Sequence, residues 1–244
     1  SSLSTSFKIF EDLSRGHQDS YQYIFPDYNF SKNVKIPHNY NGKFNFNSYG
    51  YNKNYNTNIT EKVLINNFEF QSNLKLFETG LVNEKIISIK NVNSDSTNST
   101  NFKNDSTANI IPTFQTNYIY PLNKETSEFN NLITPKLSLR LSLPSSKDVR
   151  KKDRSIGYSN IYDLDRLGMS ETSEGGVSAT YGYEFVKIDK SNFDEKIKFG
   201  FANNIRFEEN KDLPMSSNLG DKVSDFVGLV EYKHSENLKF NYDF

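Results

Sequence analysis

Val177-Ser-Ala-Thr-Tyr-Gly-Tyr-Glu-Phe185 alternates without a break. Val177, Ala179, Tyr181, Tyr183 and Phe185 fall on one parity, and Ser178, Thr180, Gly182 and Glu184 fall on the other. Successive side chains of a strand point to opposite faces, so this segment has one apolar and one wet face. The next apolar segment repeats the pattern, with Ile197, Phe199, Phe201, Ile205 and Phe207 set against Lys196, Lys198, Gly200, Asn204 and Arg206. Leu137, Leu139, Leu141 and Leu143 do the same against Ser138, Arg140 and Ser142.

Composition says what such faces are for. The 244 residues are 35% hydrophobic, yet 14% aromatic, all of it Phe (20) and Tyr (15). Mean hydropathy is -0.71. Globular domains usually carry more apolar residues, about 45–50% counting Gly. A two-sheet sandwich needs more Leu, Val and Ile inside it. A sheet with one apolar and one solvated face fits better, and an outer-membrane barrel with a wet interior is the extreme case. Abundant Asn and Lys also match a low-GC coding bias, but that bias does not produce alternation.

Candidate strands are 3–11, 18–30, 40–51, 55–65, 67–77, 84–92, 109–120, 132–143, 173–188, 195–208, 223–233 and 237–244, with 55–77 readable as one strand or two. Most reach the roughly 9–11 residues a tilted strand needs to cross a bilayer. Connections alternate in length: 93–108, 144–172 and 209–222 are long, whereas 121–131, 189–194 and 234–236 are shorter. Outer-membrane barrels show this, with long extracellular loops and short periplasmic turns. Arg140 in mid-strand would cost about 2–4 kcal/mol facing lipid. It is therefore expected in a wet lumen, together with Lys196, Lys198 and Arg206. There these groups meet lipid phosphates or a partner's acids, or merely solvate the lumen and balance neighbouring Glu. Tyr118, Tyr120, Tyr242 and Phe244 lie near strand ends, as interfacial girdles or as ordinary cross-strand packing. Residues 144–172 are expected to fold partly inward, because Ile156, Tyr158, Ile161, Tyr162 and Leu164 are too apolar for a free loop.

Other classes find little support. Net charge is -1, which argues against nucleic acid as a partner. There is no Cys, so neither a disulfide framework nor a thiolate metal site. His17, His38 and His234 are scattered, and Asp163-Leu-Asp165 alone reads as a solvated loop. No nucleophile elbow is present, and Gly175-Gly176 opens a strand rather than a helix. No catalytic residue, cofactor or metal is expected. No secretory signal opens the chain, which for an exported protein suggests a mature form or an internal fragment.

Asp165-Arg-Leu-Gly-Met-Ser-Glu-Thr-Ser-Glu-Gly-Gly-Val-Ser-Ala-Thr-Tyr-Gly182 resembles a signature of the LptD family of LPS-assembly outer-membrane proteins. Arg166, Glu174, Gly175, Thr180, Tyr181 and Gly182 match it in order. Asp165 stands for the family's Asn, Leu167 for its Phe, and Glu171-Thr172 for its Asp-Arg. Ser217-Asn-Leu219 and Ser224-Asp-Phe-Val-Gly228 resemble a second segment, whose matching residues include Ser224, Asp225 and Gly228. Ile111-Pro-Thr-Phe-Gln115, Tyr120-Pro-Leu122, and 18–51 with Phe25-Pro26 and Gly42 resemble less specific parts. The resemblance implies placement of lipopolysaccharide in the outer leaflet of a Gram-negative outer membrane, without enzymatic activity. It also implies a very large barrel behind a jelly-roll domain, an LptE-like lipoprotein plug, periplasmic LPS-bridge proteins and a lateral seam. The family's inter-domain cysteines have no counterpart. The expected fold is all-β: residues 1–244 are an antiparallel transmembrane β-barrel segment of about 10–12 strands from a larger barrel, with no jelly roll. A porin-like or uptake barrel and a soluble secreted polysaccharide-binding β-protein are the alternatives.

Overall fold

Alternating Phe, Tyr and β-branched residues favour the pleated backbone. In the computed structural model, strands are the regular elements among the described residues, which are 1–11, 13, 21–35, 41–55, 58–143, 147–216, 218–235 and 238–244. They are β1 (Ser2–Glu11), β2 (Tyr21–Lys35), β3 (Gly42–Tyr55), β4 (Thr60–Ser72), β5 (Lys75–Leu76), β6 (Val82–Thr97) and β7 (Thr107–Ile119). β8 (Leu122–Glu125), β9 (Phe129–Ser142), β10 (Gly176–Asp189), β11 (Glu195–Arg206), β12 (Val227–Ser235) and β13 (Leu238–Asp243) follow. All belong to one antiparallel sheet ordered β1-β2-β3-β4-β6-β7-β9-β10-β11-β12-β13, with β5 added beside β6 and β8 beside β9. Chain neighbours are sheet neighbours, so the sheet is a meander with a linear order, as expected of a barrel segment.

Some boundaries differ from the sequence reading. The ambiguous 55–77 stretch is one long strand, β4, and the two-residue β5. The polar loop read at 93–108 is shorter, because β6 continues to Thr97 and β7 starts at Thr107. Ser94 and Ser96 are buried there, with the Ser94 hydroxyl on that of Thr107 at 2.8 Å and Ser96 Oγ donating to the Lys103 carbonyl at 2.7 Å. Ser and Thr on a polar strand face look like loop residues in one dimension. In 121–131, β8 resumes pairing with β9 after a break at Pro121, which has no N–H to donate. The last long loop runs on to Phe226, with Val223 making only an isolated bridge to Ile205.

The chain divides into two compact units. In the unit of residues 1–71, 87–112 and 170–172, Phe102 packs on Val63, Ile65 and Val92 beside Tyr49 and Tyr51. Buried Glu61 accepts from Ser99 Oγ at 2.6 Å and from the Tyr51 hydroxyl at 3.2 Å, with Lys53 at 3.7 Å. The unit of residues 72–86, 113–169 and 173–244 carries the longest loops. Its core is made by loop residues Val149, Ile156, Tyr158, Ile161, Leu167, Met169, Leu213 and Leu219 against Ala202 and Val227 of the sheet. The loop at 147–169 thus lies folded on the sheet, as its apolar content suggests.

It covers the polar face, so the usual rule of burial is inverted in this unit. Along β9, Ser138, Arg140 and Ser142 are 3–5% exposed, whereas Leu139 and Leu141 are 41% and 54% exposed. β10 repeats it: Ser178 and Thr180 are buried, Val177 and Tyr181 exposed.

Candidate functional site

Register brings the polar parities together. Gln115 of β7 pairs with Arg140 of β9, Arg140 with Ser178 of β10, and Ser178 with Arg206 of β11. One cross-strand row therefore presents Gln115, Arg140, Ser178 and Arg206 on the same face. The adjacent row pairs Ser138, Thr180 and Asn204. The loop ahead of β10 lowers Glu174 onto this surface, where it is 0% exposed.

Arg166, carried by the same loop, grips the carboxylate with two parallel hydrogen bonds. Its Nη2 donates to Oε1 at 2.5 Å and its Nε to Oε2 at 2.8 Å. The guanidinium also reaches the sheet, donating to Asn204 Oδ1 at 2.7 Å, Ser178 Oγ at 3.0 Å and Thr180 Oγ1 at 3.1 Å. Arg206 donates to Glu174 Oε1 through Nη1 and to the Gly175 carbonyl through Nη2. Arg140 donates to the Glu174 carbonyl at 2.6 Å, Ser173 Oγ at 3.1 Å and the Leu164 carbonyl at 3.1 Å. Gln115 Nε2 donates to the Tyr162 carbonyl at 2.8 Å. Burial alone would push the Glu174 carboxyl up; the charges of Arg166, Arg140 and Arg206 outweigh it and hold the group at about 2. The cluster is a clamp: two guanidiniums hold the Glu174 carboxylate, a third holds its backbone carbonyl, and together they tie the loop to β9, β10 and β11.

Two tyrosines dock the same loop further along. A Cβ on Gly182 would stand 2.6 Å from the Tyr162 hydroxyl and collide with the Phe201 carbonyl. One on Gly200 would run into the Tyr158 ring. Only glycine lets the rings lie this close to the backbone.

A family model described as LptD, LPS transport system D, matches residues 2–244. The chain belongs to the LptD family. The comparison with curated proteins gave no match. LptD proteins are an outer-membrane family serving lipopolysaccharide transport, a non-enzymatic task, and the all-β sheet agrees with that.

The residues read as family motif take distinct places in this LptD chain. Arg166, Glu174, Gly175 and Thr180 form the clamp, and Gly182 seats Tyr162. Asp165 adjoins Arg166 in the loop, and Tyr181 points to the opposite, bare face. Ser224 and Asp225 serve where β12 leaves β11: Ser224 Oγ accepts from the Asn204 N–H at 3.0 Å, and its carbonyl accepts from Asn203 Nδ2 at 2.7 Å. Asp225 accepts from Asn218 Nδ2 at 2.8 Å. Gly228 pairs with Phe201. Ser217, His17 and His38 lie outside the described residues, and His234 is exposed.

The four basic residues grouped by parity separate. Arg140 and Arg206 enter the clamp. Lys196 and Lys198 lie nearer the 189–194 hairpin in half-exposed ion pairs. Lys196 is 3.7 Å from both Asp189 and Asp194; Lys198 is 3.8 Å and Lys136 3.4 Å from Glu184. Ser173 and Asn203 carried no signal in the sequence; their roles come from the loop path alone.

Proposed function

We propose that residues 1–244 are part of the wall of a larger LptD barrel that places lipopolysaccharide in the outer leaflet. The observation that carries this reading is the inverted burial. Leu137, Leu139, Leu141, Leu143, Val177 and Tyr181 lie bare on one face while Arg140, Arg166, Glu174 and Arg206 are buried behind the other. In water a patch of this kind is an association liability. Against hydrocarbon it is what a barrel exterior needs, and the polar face then belongs to the lumen. On this reading Arg140, Lys196, Lys198 and Arg206 face the lumen, and the clamped loop narrows its outer mouth. A lipoprotein of the LptE kind plugs the lumen, and periplasmic bridge proteins deliver the lipid.

The test is depletion of the full-length protein in its host, with surface lipopolysaccharide measured by labelling intact cells. Falling surface lipopolysaccharide, a heat-dependent shift of the folded protein in SDS gels, and co-purification of a lipoprotein support the reading. Unchanged lipopolysaccharide, with the protein recovered in the soluble fraction, refutes it.

A further inference from the structure

The bare face of β9, β10 and β11 is not uniform. Ile133, Pro135, Tyr183, Phe185, Phe199 and Phe201 line an open apolar groove of about 710 Å³. Pro135, the register partner of Tyr183, contributes a small ring to a lining that is otherwise mostly aromatic. Tyr183 and Phe201 meet edge to face, with centroids 4.4 Å apart, and form one wall.

Just beyond the groove, toward the 189–194 hairpin, the same face turns basic. Lys124 of β8 pairs with Asn131 of β9, and Asn131 pairs with Lys187 of β10. These three residues make one row, next to the row Leu122, Ile133, Phe185 and Phe199 at the groove's end. Lys187 stands over the Phe129 ring, its Nζ 3.9 Å from the centroid. Two nearby carboxylates are paired with other lysines, Glu125 with Lys190 at 2.9 Å and Asp189 with Lys196 at 3.7 Å. Glu128 is exposed in the turn between β8 and β9. Among the described residues, two ammonium groups thus flank an amide at the rim of an apolar slot.

We propose that this surface binds one anionic glycerophospholipid, with its phosphate on Lys124, Asn131 and Lys187 and an acyl chain in the groove. The inference rests on the barrel reading, which puts this face against the bilayer. The leaflet follows from the position of the rim. It borders the short connections, which in outer-membrane barrels face the periplasm. Headgroups at that level belong to the phospholipid leaflet, not to the lipopolysaccharide leaflet. Basic residues at a membrane surface attract anionic headgroups, and an aromatic ring at the interface steadies the ammonium above it.

Native mass spectrometry of the full-length protein in mild detergent tests this, with phosphatidylglycerol and phosphatidylcholine added in competition. The wild type is expected to favour phosphatidylglycerol about 30-fold, from two lysine contacts. Lys124→Gln with Lys187→Gln should bring the preference within about twofold while the heat-dependent gel shift stays intact. Ile133→Trp, which fills the groove, should lower retention of both lipids. An unchanged preference in the double glutamine variant overturns the proposal. So does retention of lipopolysaccharide instead of phospholipid, or a dimer that the glutamine variant dissolves. A wild type with no heat-dependent shift defeats the barrel reading itself, which separates the two failures.

Discussion

Replacing Glu174 with Gln keeps the shape of the side chain and removes the charge that three guanidiniums share. Arg166, Arg206 and Arg140 stay buried, two of them having lost their carboxylate contacts. Breaking a buried ion pair from one side costs about 3–5 kcal/mol, because the partner charge is left without compensation. The loop can relieve that cost by lifting off the sheet and hydrating its arginines. Opening should therefore rise about 10²- to 10³-fold or more, at roughly 1.4 kcal/mol per decade. Trypsin reads this directly. Lys151, Lys152 and Arg154 are exposed in the closed loop and are cut in either protein, which provides an internal control. Arg166 is 4% exposed, so cleavage after it requires opening and its rate follows the open population. The folded Glu174→Gln variant should lose the Arg166–Leu167 bond far faster than wild type, with cleavage at 151–154 unchanged. Equal rates at Arg166 in the two proteins would refute the clamp.

Acid should act through the same carboxyl. Its folded value of about 2 lies below the ordinary 4.5, so the clamp's contribution is complete above 4.5 and disappears as pH falls through about 2. Pepsin should accordingly spare the 160–169 segment until pH approaches the lower value; early cutting would contradict this. Leu137→Arg, on the bare face, should cost about 2–4 kcal/mol if that face meets the bilayer core, and sharply reduce the heat-shifting fraction in membranes. The same change on a water-facing sheet would be nearly neutral, so an unaffected yield counts against the membrane reading. Gly182→Val drives a side chain into Tyr162 and the Phe201 carbonyl. Overpacking of this kind costs about 1–3 kcal/mol, and the variant should show weaker protease protection of the loop and a lower folded yield.

Much of this molecule could be read in one dimension because the period of a strand is two. The parity of Leu137 to Leu143 against Ser138, Arg140 and Ser142 assigns faces without knowledge of any neighbour. The apolar residues of the 144–172 loop likewise announce a packed segment. Register is different. It joins Gln115, Arg140, Ser178 and Arg206 into one row through pairings between residues far apart in the chain, and no local pattern encodes that. The Arg166–Glu174 pair entered the reading only as a resemblance, since two charges of opposite sign on one loop carry no physical signal by themselves. Where a strand's inner face is polar, as at Ser94 and Ser96, the strand itself is hidden in the sequence.

The clamp also bears on the order of assembly. Arg166 and Glu174 are close along the chain, but the groups that hold them, on β9, β10 and β11, meet only after those strands have zipped in register. Until then three cations and an acid remain hydrated and the loop hangs open. A chain stalled before that point displays the bond after Arg166, whereas a finished one conceals it. Access to the Arg166–Leu167 bond therefore separates chains that have completed strand pairing from chains that have not.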